Sequence, residues 1–301
     1  HLDFSNDIAA GKLPTSQRCP PKINKSRFIN IKRKIGKCLL EWNLCSIFAH
    51  IIKNSNNVAS MNKVKQLPYG VSDFEYVMRE NYYYVDKTMY IPQIEAQPNN
   101  LMFIRPRRFG KSLLLSMLKT YYDKAKKDQF EEIFGSLWIG KHPTELMGRY
   151  QVMHLDFSRI GGSIDELEKK FDEYLCYTLE AFVRKYADDY PDYFIKSFFD
   201  CNTYTGKLIQ ITTVANELRI PMYLIIDEYD NFTNVVLSEK GEEMYHKLTH
   251  AEGFYRDVFK KFKGTFERIF FTGVSPVTLD DLTSGFNIGW NISTLFYFDK
   301  M

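Results

Sequence analysis

Cysteine is scarce in this chain: five residues, at 19, 38, 45, 176 and 201, odd in number and in no C-x-x-C pair. That pattern excludes a disulfide framework and a cysteine-bound zinc, and it fits a reducing, cytoplasmic setting. Long apolar runs are absent too. A membrane-spanning helix needs roughly 18 uninterrupted apolar residues, and the best candidate, CLLEWNLCSIFAHII at 38–52, is shorter and carries Glu41; no membrane partner is expected. Internal repeats and low-complexity tracts are missing, which excludes solenoids and propellers. What remains is a 301-residue chain, 45% hydrophobic and 26% charged, long enough to bury a core of its own.

The charge is unevenly spread. Residues 1–60 hold 10 Lys/Arg against 3 Asp/Glu, a net of +7, leaving 30 against 34, or −4, for residues 61–301. A basic arm suits nucleic acid or an anionic surface. This one starts at His1, has little periodicity, and is followed by Met61 of MNKVKQLPYGVSDFEYV, which reads as a natural start. Residues 1–60 are therefore expected to be an upstream or non-native segment without its own fold, and residues 61–301 to form the domain.

Within 61–301 the pattern alternates. A short apolar strand, Leu101–Ile104, is followed by the loop RPRRFG and by KSLLLSMLKTYYDKAKK, apolar at helical spacing. Further strands are expected in YQVMHLDFS (150–158), MYLIIDEYD (222–230) and RIFFTGVSP (268–276), with helices over 163–218, broken at Pro191, and around 240–263. Alternating strands and helices predict an α/β sandwich with a mainly parallel sheet.

Five Gly-Lys pairs occur, but only Gly110-Lys111 is followed by Ser or Thr, and only that pair stands between an apolar strand and a helix. In such a loop the backbone N–H groups and the helix N-terminus hold phosphates, the lysine reaches the terminal ones, and the Ser112 hydroxyl binds Mg²⁺. Arg105 stands where G-x-x-x-x-G-K-[ST] starts with glycine. Pro106 can stiffen the entry, and Arg107 and Arg108 add positive charge for an anion. Phe109 and Leu113 complete the expected cradle of residues 105–113. The second element is YLIIDEYD, a buried strand ending in two acids. There Asp227 could hold Mg²⁺ and Glu228 could polarise an attacking water. Ligands bind at the carboxyl edge of such sheets.

Together RPRRFGKSLLLSML, YLIIDEYDNF, FFTGVSPVTLDDLTSGFN and GVSDFEYVMRENYYYVDKT resemble the AAA-ATPase-like family of bacterial P-loop proteins, over about Leu67 to Asn287. Members often carry a C-terminal nuclease-like domain of the PD-(D/E)XK type. The resemblance implies a three-layer P-loop sandwich with an additional helical insertion. It also implies that the arginine-rich loop is the family's normal Walker A motif, that Lys111 and Ser112 take the Walker A roles, and that Asp227 and Glu228 take the Walker B roles. Thr272 falls where P-loop ATPases place a polar sensor of the γ-phosphate, with an ordinary strand-end hydroxyl as the equal alternative; Ser275 is a weaker candidate.

Other residues carry less. His246 and His250 have helical metal-pair spacing, but Lys247 replaces the glutamate of H-E-x-x-H, which favours a surface helix. The tyrosines of YYYV could stack on a base or simply pack. Asp86 and Lys87 are further candidates for contacts near the nucleotide. The reading that results is an ATP- and Mg²⁺-binding domain hydrolysing slowly as a switch for an attached module. A non-hydrolysing nucleotide-dependent interaction module and the ATPase part of a nucleic-acid-processing protein stand as alternatives. A protein partner or a homo-oligomer is open, and nucleic acid is expected only through a C-terminal domain not seen here. After Asn287 only STLFYF (293–298) could add a strand and no helical lid follows, so the chain is expected to be a fragment.

Overall fold

The computed structural model describes residues 65–160, 166–249, 254–275 and 289–301. The expectation for residues 1–60, His250 and the SGFN stretch lie outside them. Lys65–Met301 forms one compact unit. Its helices are α1 (Phe74–Arg79), α2 (Ile91–Glu95), α3 (Lys111–Tyr122), α4 (Phe130–Phe134), α5 (Trp138–Lys141), α6 (Leu167–Lys185), α7 (Asp192–Asp200), α8 (Tyr204–Leu218), α9 (Asn231–Lys240), α10 (Glu242–Thr249) and α11 (Phe254–Thr265). The strands are β1 (Asn100–Ile104), β2 (Gln151–Asp156), β3 (Met222–Asp227), β4 (Arg268–Gly273) and β5 (Trp290–Asn291).

All five strands run parallel in the order β2-β3-β4-β1-β5. Parallel pairing needs a crossover for each connection, and helices supply it. Both faces of the sheet are therefore covered, and β3 is buried at every position, as its continuous apolar run predicts. Burying each of Leu224, Ile225 and Ile226 stabilises the fold by about 1.5–3 kcal/mol. Period two divides the core. Met153, Leu155, Leu224, Ile226 and Phe271 face α6, α8 and α11, while Val152, Tyr223, Ile225 and Phe270 face α3. The result is the α/β sandwich that the alternation predicts, with the three layers of the P-loop type that the resemblance implies. Helices α6 to α8, inserted between β2 and β3, are its helical addition.

Several boundaries differ from the periodic reading. Helix α3 stops at Tyr122 because Asp123 is extended and its carboxylate caps Ala125 N–H at 2.9 Å. Pro191 is the cap of α7, where the break was expected, but Cys201–Thr203 interrupts the stretch a second time. Of the helix expected around 240–263, the described residues form α10 and α11. The last strand is Trp290–Asn291, two residues paired with β1, and not 293–298. At Ser293 the side chain displaces the ladder, since Ile104 N–H donates to its hydroxyl at 2.6 Å, and Phe296–Phe298 turns into a 3₁₀ helix.

Candidate functional site

The carboxyl edge of the sheet collects the polar residues. Strand β4 lies between β1 and β3, so the loop leaving β1 crosses the end of β4 before α3 packs beneath β3. Gly110 opens α3 at φ +78°, a left-handed conformation natural to glycine, with nothing within 4 Å of where a Cβ would stand. Backbone conformation, not space, is the reason for glycine there. Arg108 shares the left-handed region at φ +68°, a strain typical of ligand loops. The first-turn N–H groups of α3 have no helical partners and form the positive end of its dipole.

Lys111 is almost fully buried and folds back on its own loop, donating from Nζ to the carbonyls of Arg105 at 3.1 Å and Pro106 at 3.2 Å. These carbonyls hold the ammonium at the loop. Ser112, one residue into α3, donates to Asp227 Oδ2 at 2.6 Å. Thr272, fully buried at the end of β4, donates to Asp227 Oδ1 at 2.7 Å. Glu228 N–H also reaches Asp227 Oδ1, at 3.0 Å. One carboxylate thus ties the start of α3, β3 and β4 together. Glu228 sits at φ +50°; its carboxyl is held above the ordinary glutamate range by burial, then by the charge of Asp227.

A matching description exists for this arrangement. A family model described as "Predicted AAA-ATPase" matches residues 68–283. The chain belongs to the AAA-ATPase-like family. Membership gives it a nucleotide-binding, ATPase-like character. A protein of Azotobacter chroococcum mcd 1, named "Uncharacterized protein in vnfD 5'region", is 27% identical over 232 residues, 74% of this chain and 40% of its own length; the chain thus spans well under half of that relative. No solved structure matches it.

In this AAA-ATPase-like domain the structure brings Lys111, Ser112, Asp227, Glu228 and Thr272 to one edge. The oxygen donors Ser112 and Asp227 suit Mg²⁺, a hard ion that fills most of its shell with water and phosphate. Pro106, Arg107, Arg108 and Phe109 are exposed on the loop. Arg105 is engaged elsewhere: its guanidinium donates to the carbonyls of Ser293 at 3.0 Å and Phe298 at 2.8 Å and lies 4.5 Å over the Phe103 ring. Asp86 accepts from Thr88 and from Trp138 N–H, a structural turn. His246 pairs with Glu242 one helical turn away, at 3.5 Å. Burial and Asp172 push the Cys176 thiol up to about 11, which leaves it inert.

Four residues escaped the sequence reading. Asp156 ends β2 in register with Asp227, and the signal was there: an apolar strand closing on an acid, as in β3. Asp230 is 1% exposed and accepts from Val274 N–H at 3.0 Å and Ser275 N–H at 2.6 Å, holding the segment after the sensor strand. Gly273 fits only as glycine, because a Cβ would fall 2.3 Å from the Tyr229 ring and 2.5 Å from Asp230 Oδ1. His154, on the α3 face of β2, has its Nε2 buried with no hydrogen-bonding partner among the described residues.

Proposed function

We propose that this domain binds ATP with Mg²⁺ and hydrolyses it slowly, as a switch for an attached module. The observation that carries the reading is the bridge Ser112–Asp227–Thr272, 2.6 and 2.7 Å long, set beside a buried lysine. When bound, Mg²⁺ would supply charge neutralisation on the phosphates, held by Ser112 and Asp227. The N–H groups at the start of α3 bind and orient the phosphates. Lys111 exchanges its loop carbonyls for phosphate oxygens. Glu228 positions water and accepts its proton at the carboxylate. Thr272 fixes the orientation of Asp227.

The rival is a non-hydrolysing nucleotide-dependent interaction module. Burial and Asp227 hold the Glu228 carboxyl above its ordinary range, the direction that suits a general base, so hydrolysis is the reading kept first. Two variants separate the readings. Lys111→Ala should abolish ATP binding by calorimetry. Glu228→Gln should retain binding and lower Mg²⁺-dependent turnover at least about tenfold, a barrier increase of about 1.4 kcal/mol. Unchanged binding in the first would refute the site; absence of turnover in the parent would establish the binding module.

A further inference from the structure

Arg105 is bonded on three sides, and each side belongs to a different part of the molecule. Its N–H donates to the Gly273 carbonyl at 3.2 Å, where β4 ends one residue past Thr272. Its carbonyl accepts from Lys111 Nζ at 3.1 Å, beside the Pro106 carbonyl at 3.2 Å. Its guanidinium donates to the carbonyls of Ile104 at 3.1 Å, Ser293 at 3.0 Å and Phe298 at 2.8 Å. One residue therefore stands between the buried lysine of the phosphate loop and the segment 289–301.

That segment is docked through a short set of bonds. Ile292 N–H donates to the Met102 carbonyl at 2.9 Å, the Ser293 hydroxyl accepts from Ile104 N–H at 2.6 Å, and Lys87 Nζ donates to the Lys300 carbonyl. Its later N–H groups turn inward: those of Leu295, Phe298 and Met301 donate to the carbonyls of Ile292, Leu295 and Phe298. The Phe298 carbonyl thus serves both Met301 N–H and Arg105, so the guanidinium braces the turn that Met301 closes. Elements docked this way open locally at a free energy below that of global unfolding. A ligand shifts such an opening only through contacts that differ between the closed and the open form. Lys111 supplies the difference. Charge-assisted bonds from an ammonium to phosphate are about twice as strong as neutral ones, and an ammonium drawn to phosphate leaves the peptide from which the Arg105 side chain starts.

We propose that Arg105 is a positioning residue coupling the phosphate loop to the segment 289–301: a triphosphate in the loop draws Lys111 off the Arg105 carbonyl and loosens the segment, and the docked segment in turn opposes triphosphate binding. The coupling rests on the phosphate-loop reading above, and gives the switch proposed there its moving part.

The test is hydrogen–deuterium exchange of the full chain, read by mass spectrometry on peptides covering 292–301, with and without Mg²⁺ plus ATP or inorganic tripolyphosphate. Either ligand should speed exchange there about tenfold, while peptides of α7 do not speed up. Lys111→Met keeps the aliphatic stem and removes the donors, so it should show the fast exchange with no ligand added. Reciprocity supplies a second readout: Ser293→Ala and Phe298→Ala loosen the segment from its far side and should bind ATP about threefold tighter than the parent by calorimetry. A merely structural role predicts equal or weaker affinity. Ser293→Ala removes one hydroxyl and carries this arm should Phe298→Ala fail to fold. Unchanged or slower exchange at 292–301 in a parent that binds triphosphate overturns the coupling and leaves the phosphate site standing. Slow exchange in ligand-free Lys111→Met, or no gain in affinity in Ser293→Ala, overturns it as well. A parent that binds neither ATP nor tripolyphosphate refutes the phosphate site and the coupling together.

Discussion

Asp227 shows how much one side chain organises here. A buried carboxylate is costly unless its oxygens are satisfied, and three donors from three chain segments satisfy it: Ser112, Thr272 and Glu228 N–H. His154, on the same face of the sheet, is in the opposite position. Burial first, then the charge of Lys119, holds its imidazole below the ordinary histidine value. The unfolded chain then binds the proton more readily than the folded one. Stability present above the ordinary value, about 6.5, is lost as pH falls through it toward the lower folded value. His154→Leu should remove that contribution, so the drop in melting temperature between about pH 7.5 and 5.5 should be smaller in the variant than in the parent. Identical slopes in the two would show that His154 titrates as it does in an open chain.

Elements matter through their ends. Asp230 occupies the N-cap position of α9, yet makes no cap bond to its own helix. Its carboxylate reaches across instead to the N–H groups of Val274 and Ser275, and Tyr229 supports it from the same turn, donating its hydroxyl to the Ser275 carbonyl at 2.5 Å. The turn after β3 thereby holds the segment leaving β4, and with it Thr272. Asp230→Ala would take the acceptor from two part-buried N–H groups, at up to about 1–3 kcal/mol each, the figure for full burial. Chemical unfolding should report a loss of that order. Asp230→Asn, which retains one acceptor oxygen, should fall between the alanine variant and the parent. An alanine variant as stable as the parent would mean that other acceptors serve these groups.

At the scale of the whole molecule, the segment 289–301 is joined to the sheet by a single arginine as much as by its two-residue strand. Arg105 spans the Ile104, Ser293 and Phe298 carbonyls while stacking on Phe103. It occupies the position where a phosphate loop usually starts with glycine, and its side chain ties that loop to the segment 189 residues away in sequence from Ile104. Charged hydrogen bonds contribute about 1.5–3 kcal/mol. Arg105→Ala should therefore destabilise the domain by a few kcal/mol in urea unfolding and expose residues 289–301 to limited proteolysis, mapped by mass spectrometry. Arg105→Lys, lacking the planar fork, should restore only part of the protection. Cleavage elsewhere first, with 289–301 intact, would count against the clamp.

The sequence by itself determined the layers and most of the site. Apolar runs such as LMFI and YLII read as buried strands, breaker-free LLLSML reads as a covering helix, and the Gly-Lys-Ser turn between LMFI and that helix carries its conformational demand locally, as the φ of +78° at Gly110 shows. Those features depend on neighbours a few residues apart, so periodicity and residue type suffice to read them. Tertiary structure alone decided what distant residues do for one another. The strand order placed Thr272 against Asp227, brought Asp156 beside it, and turned Asp230 from a helix cap into a brace for β4. It directed Arg105 away from the anion its charge advertises and onto carbonyls of the last segment. It also shortened the last strand to Trp290–Asn291, because the Ser293 hydroxyl offers Ile104 N–H a bond that the backbone pattern does not encode. Hydrogen-bonding partners far apart in the chain are chosen by geometry and burial, and neither is written into local spacing.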